Sequence, residues 1–365
     1  MRDGFLIAAA WMIVGAAMPA PADGPEPKPA AGPMDTAGTL RGSPYRIDIP
    51  ADWNGELVML LHGYEPKGVP RETPWPGNEA APVFLQRGYA VAAPAYSAQG
   101  WAVAEALPDI ERLRRHFAAT YGEPTRTWLA GFSMGGHLAL ASLERHGRAY
   151  DGALSLCGVN MPAETVFGEA ILTPLVAFGY FFPDAMPLAS GGLADPNSPP
   201  MLDPAAIEAA LKTDEATASL LAARLQIPRS GLAGALMLNY LVLREMQQRA
   251  GGFPIDNSEA VYAGFGDDAA FNKGVRRYTG SPAAIAYAHA NADLTGRIDD
   301  PVVLLSNNAD PTVPARYDAV YPKLVRAAGQ ADELIVLPAV GEGHCDFTGE
   351  QIGAAFETLV NNAGH

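Results

Sequence analysis

The chain is poor in cysteine: Cys157 and Cys345 are the only two in 365 residues. Two thiols alone make a poor metal site, and they do not make a disulfide-built scaffold. Positive charge is also scarce. Lys and Arg number 25 against 40 Asp and Glu, a formal net charge of −15. That balance excludes nucleic acid and anionic membrane surfaces as expected partners. No repeat at solenoid periods is found. The apolar run Phe5 to Met18 is too short for a comfortable membrane span, so none is expected in the mature chain.

What is present is material for a core. Apolar residues make up 48% and charged residues 18% of the chain. Its length suits one large domain, or one domain with a sizeable insertion. At the N-terminus, Arg2, the apolar run and the small-x-small triplet Ala20-Pro21-Ala22 read as an export signal over residues 1–22. The mature protein would then be periplasmic or extracellular. Residues 23–37, rich in Pro, Ala and Gly, are expected to form a flexible linker.

Beyond the linker, Tyr45 to Ile49 alternates like an edge strand. Leu57 to Leu61, Tyr89 to Tyr96, Thr127 to Leu129 and Gly152 to Gly158 read as apolar runs, with two more in Pro301 to Asp310 and Glu333 to Gly341, as in strands buried on both faces. Between several of them lie amphipathic stretches, such as Leu107, Ile110, Leu113 and Phe117 on one helical face. Pro108 is expected in the first turn of that helix. Strands alternating with helices predict a mostly parallel sheet covered on both faces. Residues 161–300 lack convincing strands and hold helix-like stretches. They read as a helical cap inserted into a domain formed by residues 38–160 and 301–365.

In Gly131-Phe132-Ser133-Met134-Gly135-Gly136, a serine sits on a sharp turn between a strand and a helix. A serine hydroxyl is a weak nucleophile that needs a base, an orienting group and donors for the oxyanion formed on attack. The turn holds the hydroxyl out of the sheet and aims the free N–H groups of a helix start at the oxyanion. Glycines at 131, 135 and 136 relieve the crowding of that bend. The pattern alone is common; its strand-before, helix-after setting gives it weight.

Seven histidines are candidates for the base. His116, His137 and His146 fall within helices. His289 lies in the cap, His365 ends the chain, and His62 reads as part of a turn with Gly63. His344, in the loop Val340-Gly341-Glu342-Gly343-His344 after the last strand, is the expected base. Asp310 lies in the stretch NNADPTVP, which comes directly after the apolar run Val302 to Ser306, and is the expected orienting carboxylate. Asp299 and Asp300 lie at the wrong end of that strand, Asp318 falls on the next helix, and Asp346 is too near His344. The oxyanion donors are expected to be the N–H groups of Met134 and Tyr64, the latter in the loop after Leu57 to Leu61.

With LLHGY, GFSMGG, NNADPTVP and GEGHCDF in this order, the sequence resembles the α/β-hydrolase superfamily. The likeness runs from about Gly38 to Val360, the cap apart. It implies a mostly parallel eight-stranded sheet, no cofactor, and hydrolysis of an ester, amide or related bond. The small or medium acyl or aryl ester substrate of a carboxylesterase is the first expectation. A serine peptidase, prolyl-oligopeptidase-like or an exopeptidase, is the alternative, and a catalytically dead fold used for binding is the third. In the cap, Ala177 to Phe182 reads either as pocket lining or as cap core. Glu164, Glu169 and Asp184 could bind a substrate amine or be solvated surface. Cys157 and Cys345, near the same sheet edge, could be bonded or free thiols. The oligomeric state is not legible.

Overall fold

The computed structural model describes residues 33–363. The expected export signal and most of the expected linker lie outside the described residues. The strands in chain order are β1 (Met34–Leu40), β2 (Ser43–Ile49), β3 (Leu57–Leu61), β4 (Ala90–Pro94), β5 (Thr127–Phe132), β6 (Ala153–Leu156), β7 (Val302–Leu305) and β8 (Leu334–Val336). They form one sheet ordered β1-β2-β4-β3-β5-β6-β7-β8. The β1/β2 and β2/β4 pairs are antiparallel. All pairs from β4/β3 to β7/β8 are parallel.

The central strands are almost wholly apolar because both faces are covered. Every residue of Leu57 to Leu61 is fully buried. Alternate side chains point to opposite faces, as the pleat demands. Leu57, Met59 and Leu61 join one core with α2 (Val103–Tyr121) and α3 (Met134–His146). Val58 and Leu60 join a second core with α1 (Ala81–Leu85) and the C-terminal helix.

Between β6 and β7 the chain leaves the sheet. It forms a π-helical segment Glu164–Leu172 and then α4 (Thr173–Phe181), α5 (Pro204–Thr213), α6 (Glu215–Leu225), α7 (Leu232–Ala250), α8 (Asp268–Gly274) and α9 (Pro282–Ala292). Asp203, Asp214 and Asp267 cap α5, α6 and α8 by accepting from N–H groups of their first turns. Such caps satisfy donors with no partner inside the helix. Glu144 on α3 receives the returning chain. Its carboxylate accepts from the N–H groups of Thr295 and Gly296 and from the hydroxyls of Thr295 and Tyr321. After β7 come α10 (Val320–Ala327) and α11 (Gly349–Asn362), the latter opened by a capping box between Thr348 and Gln351.

Three expectations need correction. The linker does not extend to residue 37, because β1 begins at Met34. β1 is an edge strand with no fully buried residue, so it lacks the apolar pattern that would have marked it. Consequently β2 is interior, held by β1 on one side and β4 on the other. Pro108 is not in the first turn: α2 starts five residues earlier, at Val103, and takes the proline into its interior.

Phe356 on α11 is 1% exposed and meets Phe84, Tyr89 and Trp128 edge-on at centroid separations of 4.9, 5.0 and 6.1 Å. Phe356→Ala should lower unfolding stability by about 3–5 kcal/mol, the usual cost of emptying an aromatic core site. Denaturant titration followed by tryptophan fluorescence reads this directly; a loss under about 1 kcal/mol would mean the face is loosely packed.

Candidate active site

In an open sheet of parallel strands such as β3 to β8, a site is built where the strands end. Three side chains from three such ends meet here. Ser133 follows β5 and takes a left-handed backbone, φ 55° and ψ −118°, unusual for a residue with a side chain. The turn is held by its neighbours: Ser133 N–H donates to Leu156 O at 3.0 Å, and Ser133 O accepts from Gly136 N–H, also at 3.0 Å. The glycines are sterically required. A Cβ on Gly131 would overlap the carbonyl of Gly135, and one on Gly135 would overlap the carbonyl of Leu61.

Asp310 lies in the loop after β7 and is 2% exposed. Its Oδ1 accepts from the N–H groups of Thr312 and Val313 at 2.7 and 2.9 Å. Its Oδ2 lies 2.7 Å from His344 Nδ1. A carboxylate can only accept, so Nδ1 carries the proton and Nε2 presents a lone pair. That Nε2 lies 2.9 Å from Ser133 Oγ, which donates to it. The structure therefore brings Asp310, His344 and Ser133 into one hydrogen-bonded chain.

The loops carrying the acid and the base are fastened to each other. Asn307 is 1% exposed and donates through Nδ2 to Val340 O at 2.9 Å and Asp346 O at 3.2 Å. Asn308 N–H donates to Gly341 O, and Gly343 N–H to Ala309 O. Sequence reasoning passed over Asn307, although the Asn-Asn pair before Asp310 lay in the quoted motif. Cys157 and Cys345 are joined in a disulfide spanning 188 residues. It ties the residue after His344 to the end of β6. Closing so long a loop stabilises the fold mainly by restricting the unfolded chain, by about 5 kcal/mol on the loop-entropy argument. Cys157, His344 and Cys345 lie close enough to share a metal ion, but the disulfide takes both sulfurs, so the set does not suit one.

Met134 is the first residue of α3, and Tyr64 follows Gly63 beside the serine. A Cβ on Gly63 would touch Ser133 Cβ at 3.2 Å. Neither the Met134 nor the Tyr64 backbone N–H donates to an acceptor among the described residues.

The other candidates take no part. His62 Nδ1 donates to Gly63 O at 2.8 Å, its ring stacks on Tyr96 at 4.2 Å, and its burial pushes the imidazole pKa down. His116 pairs with Tyr45 and His289 with Asp293. His365 lies outside the described residues. Asp300 precedes β7; burial, with Asp151, Asp299 and Glu333 nearby, pushes its carboxyl up to about 6. Asp318 accepts from Ser306 Oγ, and its carboxyl is raised by burial. Ala177 to Phe182 packs mainly within the insertion: Phe178 stacks on Phe182, and Tyr180 and Phe181 pack on Phe271. A cavity of about 890 Å³ lies between the insertion and α10, lined by residues including Phe167, Arg224 and Tyr317, with Glu164 and Glu169, but by neither Ser133 nor His344. Asp184 sits in a short 3₁₀ turn and is exposed.

No family model matches the chain, and no curated protein matches it. Solved structures are similar at low identity. An esterase of Pyrococcus furiosus shares 12% identity with a TM-score of 0.46, covering 90% of each chain. The dipeptidyl peptidase 4 of Porphyromonas gingivalis shares 10% with a TM-score of 0.47, covering 90% of this chain and 35% of that one. An acylaminoacyl peptidase of Pyrococcus horikoshii shares 10% with a TM-score of 0.43, covering 86% and 38%. Likeness at this level does not bear on reaction or substrate.

His137, on α3 one turn past the serine, is fully buried with Nδ1 on Val159 O at 2.9 Å. Burial pushes its pKa down to about 4, against about 6.5 in an unfolded chain. The unfolded state therefore binds this proton more readily. The contribution is whole above about pH 6.5 and is lost as pH falls toward 4, by on the order of 3 kcal/mol. The stability difference between wild type and His137→Gln, measured by denaturant unfolding, should shrink over that window. A difference independent of pH would show that His137 is not held neutral.

Proposed function

We propose that this chain is an exported serine hydrolase that cleaves a small or medium acyl or aryl carboxylic ester through an acyl-enzyme. The observation that carries the reading is the continuous relay from Asp310 through His344 to Ser133 at the carboxyl ends of β7, β8 and β5. In this mechanism Ser133 Oγ attacks the ester carbonyl while His344 Nε2 takes its proton. Asp310, buried and acceptor-only, keeps the imidazole in the tautomer that can do so and offsets the imidazolium charge. The carbonyl oxygen becomes an oxyanion received by the N–H groups of Met134 and Tyr64. His344 then protonates the departing alcohol. Water, deprotonated by the same histidine, releases the acid and restores Ser133.

Mature protein lacking residues 1–22 should hydrolyse short-chain p-nitrophenyl esters, and Ser133→Ala should lower kcat by at least about a thousandfold. Equal rates in the two proteins would sink the assignment. Faster cleavage of aminoacyl p-nitroanilides than of esters would move the substrate class to peptides.

Export is supported by the Cys157–Cys345 disulfide, since such bonds persist in oxidising compartments. N-terminal sequencing of protein recovered outside the cytoplasm should begin at or near Asp23; an intact Met1 on that protein would refute removal of the signal.

A further inference from the structure

We propose that Glu245, on insertion helix α7, is a positioning residue for the oxyanion donor at Tyr64; the proposal rests on the serine-hydrolase reading above. Glu245 is 4% exposed and holds donors from two different loops. Its Oε1 accepts from the Tyr64 hydroxyl at 2.9 Å, and its Oε2 from the Trp101 backbone N–H at 3.1 Å. The carboxylate sits so near Gly100 that a Cβ there would collide with it. Gly100 in turn pairs with Glu65 in an isolated antiparallel bridge, its N–H donating to Glu65 O at 2.7 Å. Tyr64 is therefore restrained at both ends. Its main chain is fixed through the bridge at the next residue, and its side chain through Glu245.

One turn along α7, Arg249 reinforces the same grip. It donates to Gln99 O at 2.6 Å and pairs with Glu105 at the start of α2. Helix α7 thus holds the loop after β4 at two points and the loop after β3 at one. An oxyanion donor works only if it is in place before the charge develops, and a displacement of about 1 Å can cost a hundredfold. The amide of Tyr64 and its phenol share one Cα, so anchoring the phenol on α7 limits how the amide can turn. Burial and the adjacent Glu245 charge raise the phenol pKa, which keeps the hydroxyl a donor throughout the working range. Docking of the insertion and geometry of the oxyanion site are consequently linked through one carboxylate.

The test compares wild type, Glu245→Ala, Tyr64→Phe and the double variant, each in the mature chain with its insertion. Two quantities are read: kcat and KM for p-nitrophenyl butyrate, and the inhibition constant of an alkyl trifluoromethyl ketone, which forms a tetrahedral adduct with an oxyanion. Glu245→Ala should lower kcat about 10- to 50-fold with KM within about twofold, less than outright loss of an oxyanion donor. Ketone binding should weaken by a similar factor. In the Tyr64→Phe background the further effect of Glu245→Ala should fall below about threefold, because the two act as one unit. Wild-type kcat in both single variants, with Ser133→Ala still inactive, would overturn the proposal and leave the triad standing. Parallel changes in kcat and KM that track a fall in thermal midpoint would also overturn it. If Glu245→Ala does not fold, Tyr64→Phe decides alone: a kcat loss of about three- to tenfold at unchanged KM is expected, and an unchanged kcat refutes the link. A wild type that neither cleaves esters nor binds the ketone would remove the hydrolase reading and this proposal with it.

Discussion

Where β5 gives way to α3, the backbone of Gly135 runs so close to the end of β3 that a Cβ would overlap Leu61 O and stand 2.7 Å from His62 O. The rest of the site depends on that contact. It allows α3 to start directly behind the sheet edge, which turns Ser133 outward and leaves the first amide of the helix without a partner among the described residues. It also brings the loop after β3 beside the serine, so that Gly63 adjoins it. Any side chain at residue 135 would push the helix back and separate these parts. Backbone strain at Ser133 is tolerated because hydrogen bonds to Leu156, Gly136 and His137 over-determine the turn.

The histidine has no such scaffold of its own. β8 is only three residues long, and its residues are incompletely buried. The loop that carries His344 is instead fastened from outside. Asn307 holds two of its carbonyls, main-chain bonds join it to the loop bearing Asp310, and the disulfide fixes Cys345 to β6. Each of these acts on a neighbour of His344 rather than on the imidazole. Together they place Nδ1 and Nε2 between a buried acceptor and a hydroxyl donor, which settles the tautomer.

The insertion has its own aromatic centre, in which Phe271 packs against Tyr180, Phe181, Tyr262 and Phe265. It meets the sheet domain through apolar packing, such as Trp101 on Phe167, and through polar contacts of Glu144, Glu245 and Arg249. The polar contacts are directional, so they fix the docked position more sharply than the apolar packing alone would.

Much of the sheet domain was legible from local pattern. Continuous apolar runs mark strands buried on both faces, and the strain of a serine turn demands small residues around it. Both are properties of a few neighbouring residues, and so they survive in one dimension. The order Ser133, Asp310, His344 followed from the same strands. β1 was not legible, because an exposed edge strand needs no apolar face and its stability comes from a partner. Asn307, Glu245 and the pairing of Cys157 with Cys345 were beyond local pattern for a related reason. Their contacts join residues 33, 181 and 188 positions apart. Sequence determined which elements form and which side chains could do chemistry. Only the tertiary structure decided how those side chains are held, because holding a loop takes hydrogen bonds from chain that is remote in sequence and close in space.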